Sequence, residues 1–124
     1  MRVKISTASI GTIEATLTKE NPETANTIYE LLPIEGSANI WGDEIYFSIP
    51  VQIRAENSKT VVDLGDIAYW PPGNAFCIFY GLTPMSRGNE IRPASAVNVF
   101  GKISGDALVF KKVRNGEKII VERV

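Results

Sequence analysis

The chain has 124 residues, 44% hydrophobic and 22% charged, which suits one globular domain with a single hydrophobic core. With 13 basic and 14 acidic residues spread along it, the formal net charge is −1, and the absence of a basic patch or stripe argues against a nucleic-acid partner. There is no histidine and one cysteine, Cys77, which excludes His-based triads, Cys–His dyads, an internal disulfide and the commonest metal ligand.

Val3 and Ile5 alternate with Lys4 and Ser6, and Ile13, Ala15 and Leu17 alternate with Thr12, Glu14 and Thr16. Both are period-2 patterns of half-buried strands, joined through Ala8-Ser9-Ile10-Gly11. The opening MRVKIST thus reads as strand rather than signal sequence, and no segment reaches the ~20 apolar residues that a membrane span needs. A cytoplasmic protein with one domain over 1–124 is expected. The period then changes. Asn21 suits an N-cap and Pro22 the first helical position, and Ala25, Ile28, Tyr29 and Leu32 follow at helical spacing until Pro33.

Strand character returns from Gly36 to Pro50. With Gly42-Asp43 as a two-residue turn, Trp41 lies opposite Glu44, Ile40 opposite Ile45, Asn39 opposite Tyr46 and Ala38 opposite Phe47. Alternation then divides the hairpin into an apolar face (Ala38, Ile40, Ile45, Phe47, Ile49) and a mixed one (Asn39, Trp41, Glu44, Tyr46, Ser48). Two large aromatics beside a carboxylate are unusual for a plain solvated surface. Residues 51–60 begin as a short strand and decay into a polar loop.

Gly65 to Gly81, GDIAYWPPGNAFCIFYG, places two aromatic-rich runs around Pro71-Pro72-Gly73-Asn74. Pro72 suits the first central position of a type II turn and Gly73 the positive φ that follows. Cys77 sits within an apolar run, the setting of a buried, inert thiol. Residues 83–95 have no periodicity and carry Arg87, Glu90 and Arg92; a loop of that length is often functional. Val97, Val99 and Ile103 mark another strand. Asp106 caps a short helix through Val113, or Asn115-Gly116 turns a terminal hairpin, before a last strand over Lys118–Val124. Seven or eight short strands with one sure helix make the fold mainly β, a closed barrel or a sandwich.

The order of elements resembles the cyclophilins, in the helix opened by NPETANTIYELLP and the late strand VNVFGKISG. GDIAYWPPG, WGDEIYFSIP and IRPASAVNVFGKI resemble more closely the small prokaryotic cyclophilin-like domain family of uncharacterised function. The resemblance implies a closed eight-stranded cyclophilin-like β-barrel with one or two short capping helices. In it the mixed face of the 37–49 hairpin meets the PPGN hairpin and the loop after it, so that Trp41, Glu44, Tyr46, Tyr69, Phe76 and Arg92 line a groove.

Prolyl isomerases carry an arginine on the corresponding hairpin, which donates to the substrate and lowers the barrier to amide rotation. SANIWGDEIYFSIP has none, and an ionised carboxylate cannot donate. The expected function is therefore a binding domain whose aromatic groove takes a small molecule or an extended peptide, without ordinary isomerase activity. The alternatives are a prolyl isomerase with a rebuilt site and an oligomerisation domain pairing copies through Trp41 and Tyr46. The acids show no metal-ligand spacing and no phosphate-cradling glycine loop is present, so no metal or cofactor is implied.

Overall fold

The computed structural model describes residues 1–124. The period-2 segments form nine strands: β1 (Arg2–Thr7), β2 (Gly11–Leu17), β3 (Ile34–Ser37), β4 (Asn39–Trp41), β5 (Glu44–Ser48), β6 (Asp66–Trp70), β7 (Ala75–Phe79), β8 (Asn98–Ile103) and β9 (Lys118–Arg123). All pair antiparallel in one sheet of order β3-β9-β1-β2-β8-β6-β7-β5-β4.

The two ends of that order, β3 and β4, are consecutive pieces of one run interrupted at Ala38. Ala38 still donates to the Glu117 carbonyl (2.8 Å) and accepts from the Gly116 N–H (2.7 Å), on the β9 side. One residue later the chain pairs with β5 instead. A single bent segment therefore serves both edges, and the sheet curls into a nearly closed barrel with few free edges. This bend is why the count is nine strands rather than the expected eight. The Phe47 ring lies against the backbone of Gly36 across the junction.

Inward-facing residues of every strand meet in the main core. Phe47 stacks on Phe76 at 5.2 Å between ring centres, and Phe76 meets Phe100 edge-on at 5.4 Å. Fully burying such a ring or an isoleucine is worth about 1.5–3 kcal/mol each. The helix α1 (Pro22–Leu31) adds Ala25 and Ile28 to this core, and a 3-10 turn over Ala107–Lys112 adds Ala107 and Phe110. That turn begins where Asp106 Oδ1 accepts from the Leu108 N–H (3.0 Å), so Ala107–Lys112 form a helical turn capped by Asp106 and Val113 rather than one arm of a hairpin.

Three local expectations are corrected. Pro71–Gly73 form a 3-10 turn and Asn74, not Gly73, takes the positive φ (48°). Two successive prolines fix φ in the helical range, and Asn tolerates the left-handed exit. Asn21 occupies the N-cap position of α1, but its side chain is buried elsewhere, donating to the Val99 carbonyl (2.7 Å) and accepting from the Asn57 N–H (2.6 Å). Glu56 caps the helix instead, accepting from the backbone N–H groups of Glu23 and Thr24 (3.1 Å each) and from the Thr24 hydroxyl (2.9 Å). Residues 51–55 form no strand. Val51 and Ile53 spend their polar groups on the Tyr69 hydroxyl, which donates to the Val51 carbonyl (2.9 Å) and accepts from the Ile53 N–H (3.1 Å).

No helix is long and apolar enough to cross a membrane.

Candidate functional site

The β4–β5 hairpin turns at Gly42-Asp43 and pairs Trp41 with Glu44, Ile40 with Ile45 and Asn39 with Tyr46, three of the four pairs the sequence predicts. Ala38 does not pair with Phe47, because its backbone bonds to Glu117 and Gly116 instead. Ile45 and Phe47 face the main core, so Trp41, Glu44 and Tyr46 share the outer face of the barrel. Across β5, Tyr46 is opposite Cys77 and Ser48 opposite Ala75; across β7, Cys77 is opposite Ala68 and Ala75 opposite Trp70. The row between the large rings thus consists of Ala68, Ala75 and Cys77.

A second, smaller core covers part of this outer face. Val62, Ile91 and Val97 pack on Ala68, Cys77, Phe79 and Val99, with Tyr46 and Trp70 at its margin. The cover is held by short bridges, Lys59 to Val97 and Val62 to Ile91, and by the Trp70 indole N–H donating to Ser95 Oγ (2.7 Å). Where the cover stops, a pocket of about 260 Å³ remains, lined by Trp41, Glu44, Tyr46, Trp70, Pro93 and Ala94. Gly73 helps shape it, because a Cβ there would come within 2.6 Å of the Trp70 ring.

Glu44 is the one ionisable carboxylate of that lining and is only 5% exposed. Its Oε1 is buried without a hydrogen-bond partner. Burial pushes the carboxyl up from an ordinary 4.5 to about 7, and the neighbouring Cys77 thiol offsets only part of that rise. Burial, and then the Glu44 charge, hold the thiol well above its own ordinary value, so Cys77 is a poor nucleophile. Burial, with the charges of Asp43 and Glu44, likewise takes the Tyr80 phenol to about 12. No cationic side chain lines the pocket. An orphaned carboxylate among aromatic faces can accept a hydrogen bond from a ligand, attract a cation, or, when protonated, donate. No three Asp, Glu or Cys side chains come together as a metal site.

The structure brings together three of the six residues expected at the groove: Trp41, Glu44 and Tyr46. Tyr69 and Phe76 are not there. They pair with each other across β6 and β7, point inward and are fully buried in the main core. Arg92 lies on the covering loop with its guanidinium on Glu90 (3.2 Å), and its successors Pro93 and Ala94 form the wall instead. Trp70 was missed although it neighbours Tyr69. Fixing which of two adjacent aromatics faces outward requires the register to β7, and pairing Cys77 with Tyr46 would have supplied it. Pro93 and Ala94 carry no signal in the sequence.

The family model for Cyclophilin-like proteins matches residues 1–122, and the chain belongs to that family. It is similar to the hypothetical protein AF2241 from Archaeoglobus fulgidus, known from a solution structure, with 50% identity over 100% of this chain and 95% of that one and a TM-score of 0.85. McbB, solved in complex with tryptophan, shares the fold at a TM-score of 0.74, with 16% identity over 98% of this chain and 44% of its own length. No curated protein matches the chain.

Proposed function

We propose that the chain is a small-molecule binding module whose ligand, a flat aromatic compound, inserts between Trp41, Tyr46 and Trp70. The observation that carries this reading is the composition of the pocket: three large rings around a recess with one buried, partnerless carboxylate oxygen at its wall. Pockets for small molecules are built this way, from apolar and aromatic walls with a few placed polar groups. A stable protein has little reason to keep a desolvated carboxylate beside aromatic rings unless something meets it there. That a protein of the same fold, McbB, has been solved with tryptophan lends support to a small-molecule ligand over a peptide. Acceleration of prolyl isomerisation would need a donor aimed at the amide, and no arginine lines the pocket.

The chain's only two tryptophans both line the pocket, so its intrinsic indole fluorescence reports on this site alone. Titration with a panel of phenyl-ring compounds, neutral and charged, is expected to give saturable changes in that emission. Trp41→Ala should weaken the best binder about two- to tenfold, since one aromatic stack is worth about 0.5–1.5 kcal/mol. An emission unchanged across the whole panel would overturn the reading.

A further inference from the structure

We propose that the ligand of this pocket is an organic amine bound as its ammonium ion, with the charge held against Glu44 between the faces of Trp41 and Tyr46. The proposal rests on the pocket being a ligand site and names what that ligand must carry. Three observations converge on a cation. Glu44 is 95% withdrawn from solvent and one of its oxygens has no donor, which leaves a place for an N–H that the protein does not fill. Trp41 is directly opposite Glu44 in the hairpin, and Tyr46 is the next residue along the same face. Their rings therefore flank the carboxylate, and the negative π-faces of Trp and Tyr favour an ammonium over a neutral group.

The third observation is electrostatic. The titratable groups nearest Glu44 are the Cys77 thiol on β7, Tyr46 on its own strand, its chain neighbour Asp43, and the Tyr80 phenol, which packs in the main core and feels the charges of Asp43 and Glu44. None is cationic. Lys111 sits on Asp43 (3.8 Å) and Arg92 on Glu90 (3.2 Å), outside the pocket lining. No cation lines the recess, and Glu44 is the one charge on its wall. A metal ion is not the occupant, because one carboxylate without further Asp, Glu or Cys ligands cannot complete a coordination shell. A guanidinium suits the site less well, since its planar fork would leave donors facing Pro93 and Ala94 unsatisfied.

The raised carboxyl pKa fixes the pH behaviour. An ammonium ligand requires Glu44 ionised, so affinity is highest above about pH 7 and falls as Glu44 takes its proton. For a ligand that binds only the ionised form, Kd rises on the order of a hundredfold between about pH 8 and about pH 5.

The test uses a matched pair, phenethylamine and its neutral analogue 2-phenylethanol, titrated against the whole chain and followed by tryptophan fluorescence. At about pH 8 the amine is expected to bind at least about tenfold more tightly than the alcohol. Its affinity should fall with acidification while that of the alcohol stays level. In Glu44→Gln the amine should drop to the level of the alcohol. The pH series on the unaltered chain tests the same claim should the variant fold poorly. Equal binding of amine and alcohol, or a preference that survives in Glu44→Gln, overturns the amine assignment but leaves the pocket standing as a site. Binding of neither compound overturns the assignment, and the failure of the wider aromatic panel separately overturns the pocket itself.

Discussion

Glu44 carries an energetic signature that can be read without any ligand. Its carboxyl titrates near 7 when folded and near 4.5 as an ordinary glutamate. The folded state therefore holds the proton more tightly, and stability falls as pH rises through that window, by about 3 kcal/mol in the limit. Glu44→Gln removes the buried charge and keeps the shape. Chemical denaturation should show the variant more stable than the parent at about pH 8, by up to about 3 kcal/mol, and close to it at about pH 4. A destabilised variant at the higher pH would mean that Glu44 has a partner. Gly73 gives a second residue-scale expectation. A Cβ there meets the Trp70 ring at 2.6–2.7 Å, so Gly73→Ala must displace the indole. It should cost about 1–3 kcal/mol by crowding and shift the Trp70 emission. Gly73 adopts no positive φ, so backbone strain is not the cause.

At the scale of elements, the long-range cap on α1 is the feature most open to test. Burial alone would raise the Glu56 carboxyl, yet the hydrogen bonds from Thr24 and Glu23 outweigh it and hold it below the ordinary value. Glu56→Ala should cost about 1 kcal/mol, as loss of an N-cap does, and fray the start of the helix in hydrogen exchange. What the sequence revealed here follows from how local each device is. The β4–β5 register was readable because a two-residue turn leaves no freedom once Gly42-Asp43 is chosen, and the apolar residues then fall on one face. The cap on α1 was not, because the capping carboxylate lies more than thirty residues away while Asn21, the local candidate, is recruited by Val99 and Asn57. Pro71-Pro72-Gly73-Asn74 announced a turn between two strands but not its type, since both Gly73 and Asn74 tolerate a left-handed backbone.

For the molecule as a whole, the barrel was legible and its covering layer only partly so. Strand alternation and resemblance together gave the barrel, and the structure adds the bend at Ala38 that closes it. Half of the pocket came from the hairpin face. The other half comes from Trp70 at the end of β6 and from Pro93 and Ala94 of a loop without periodicity, whose position depends on bridges to Val62 and Lys59 and on the Trp70–Ser95 hydrogen bond. Such contacts are tertiary, and no local pattern encodes them. A further whole-molecule device is Glu117, which joins the β1–β2 turn to the approach of β9. It accepts from the Ser9 hydroxyl (2.6 Å), the Ser9 N–H (2.8 Å) and the Arg114 N–H (3.0 Å). The Ser9 hydroxyl foremost, then the Arg114 N–H, lowers its carboxyl to about 2. Its sign is opposite to that of Glu44: the stabilisation is present above about pH 4.5 and is lost as pH falls toward 2. Thermal melts of Glu117→Gln should therefore show a flatter acid limb than the parent.

The central claim is that Trp41, Tyr46, Trp70 and Glu44 form one ligand site on the outer face of the barrel. Nitrogen–proton NMR of the labelled chain addresses it most directly, because the two indole N–H groups give two side-chain signals and both belong to this pocket. Titration with phenethylamine should move both signals saturably, together with the backbone amides of β5 and β7, while those of β1 and β9 stay in place. Saturable shifts confined to β1 and β9, or indole signals that never move, would contradict the account.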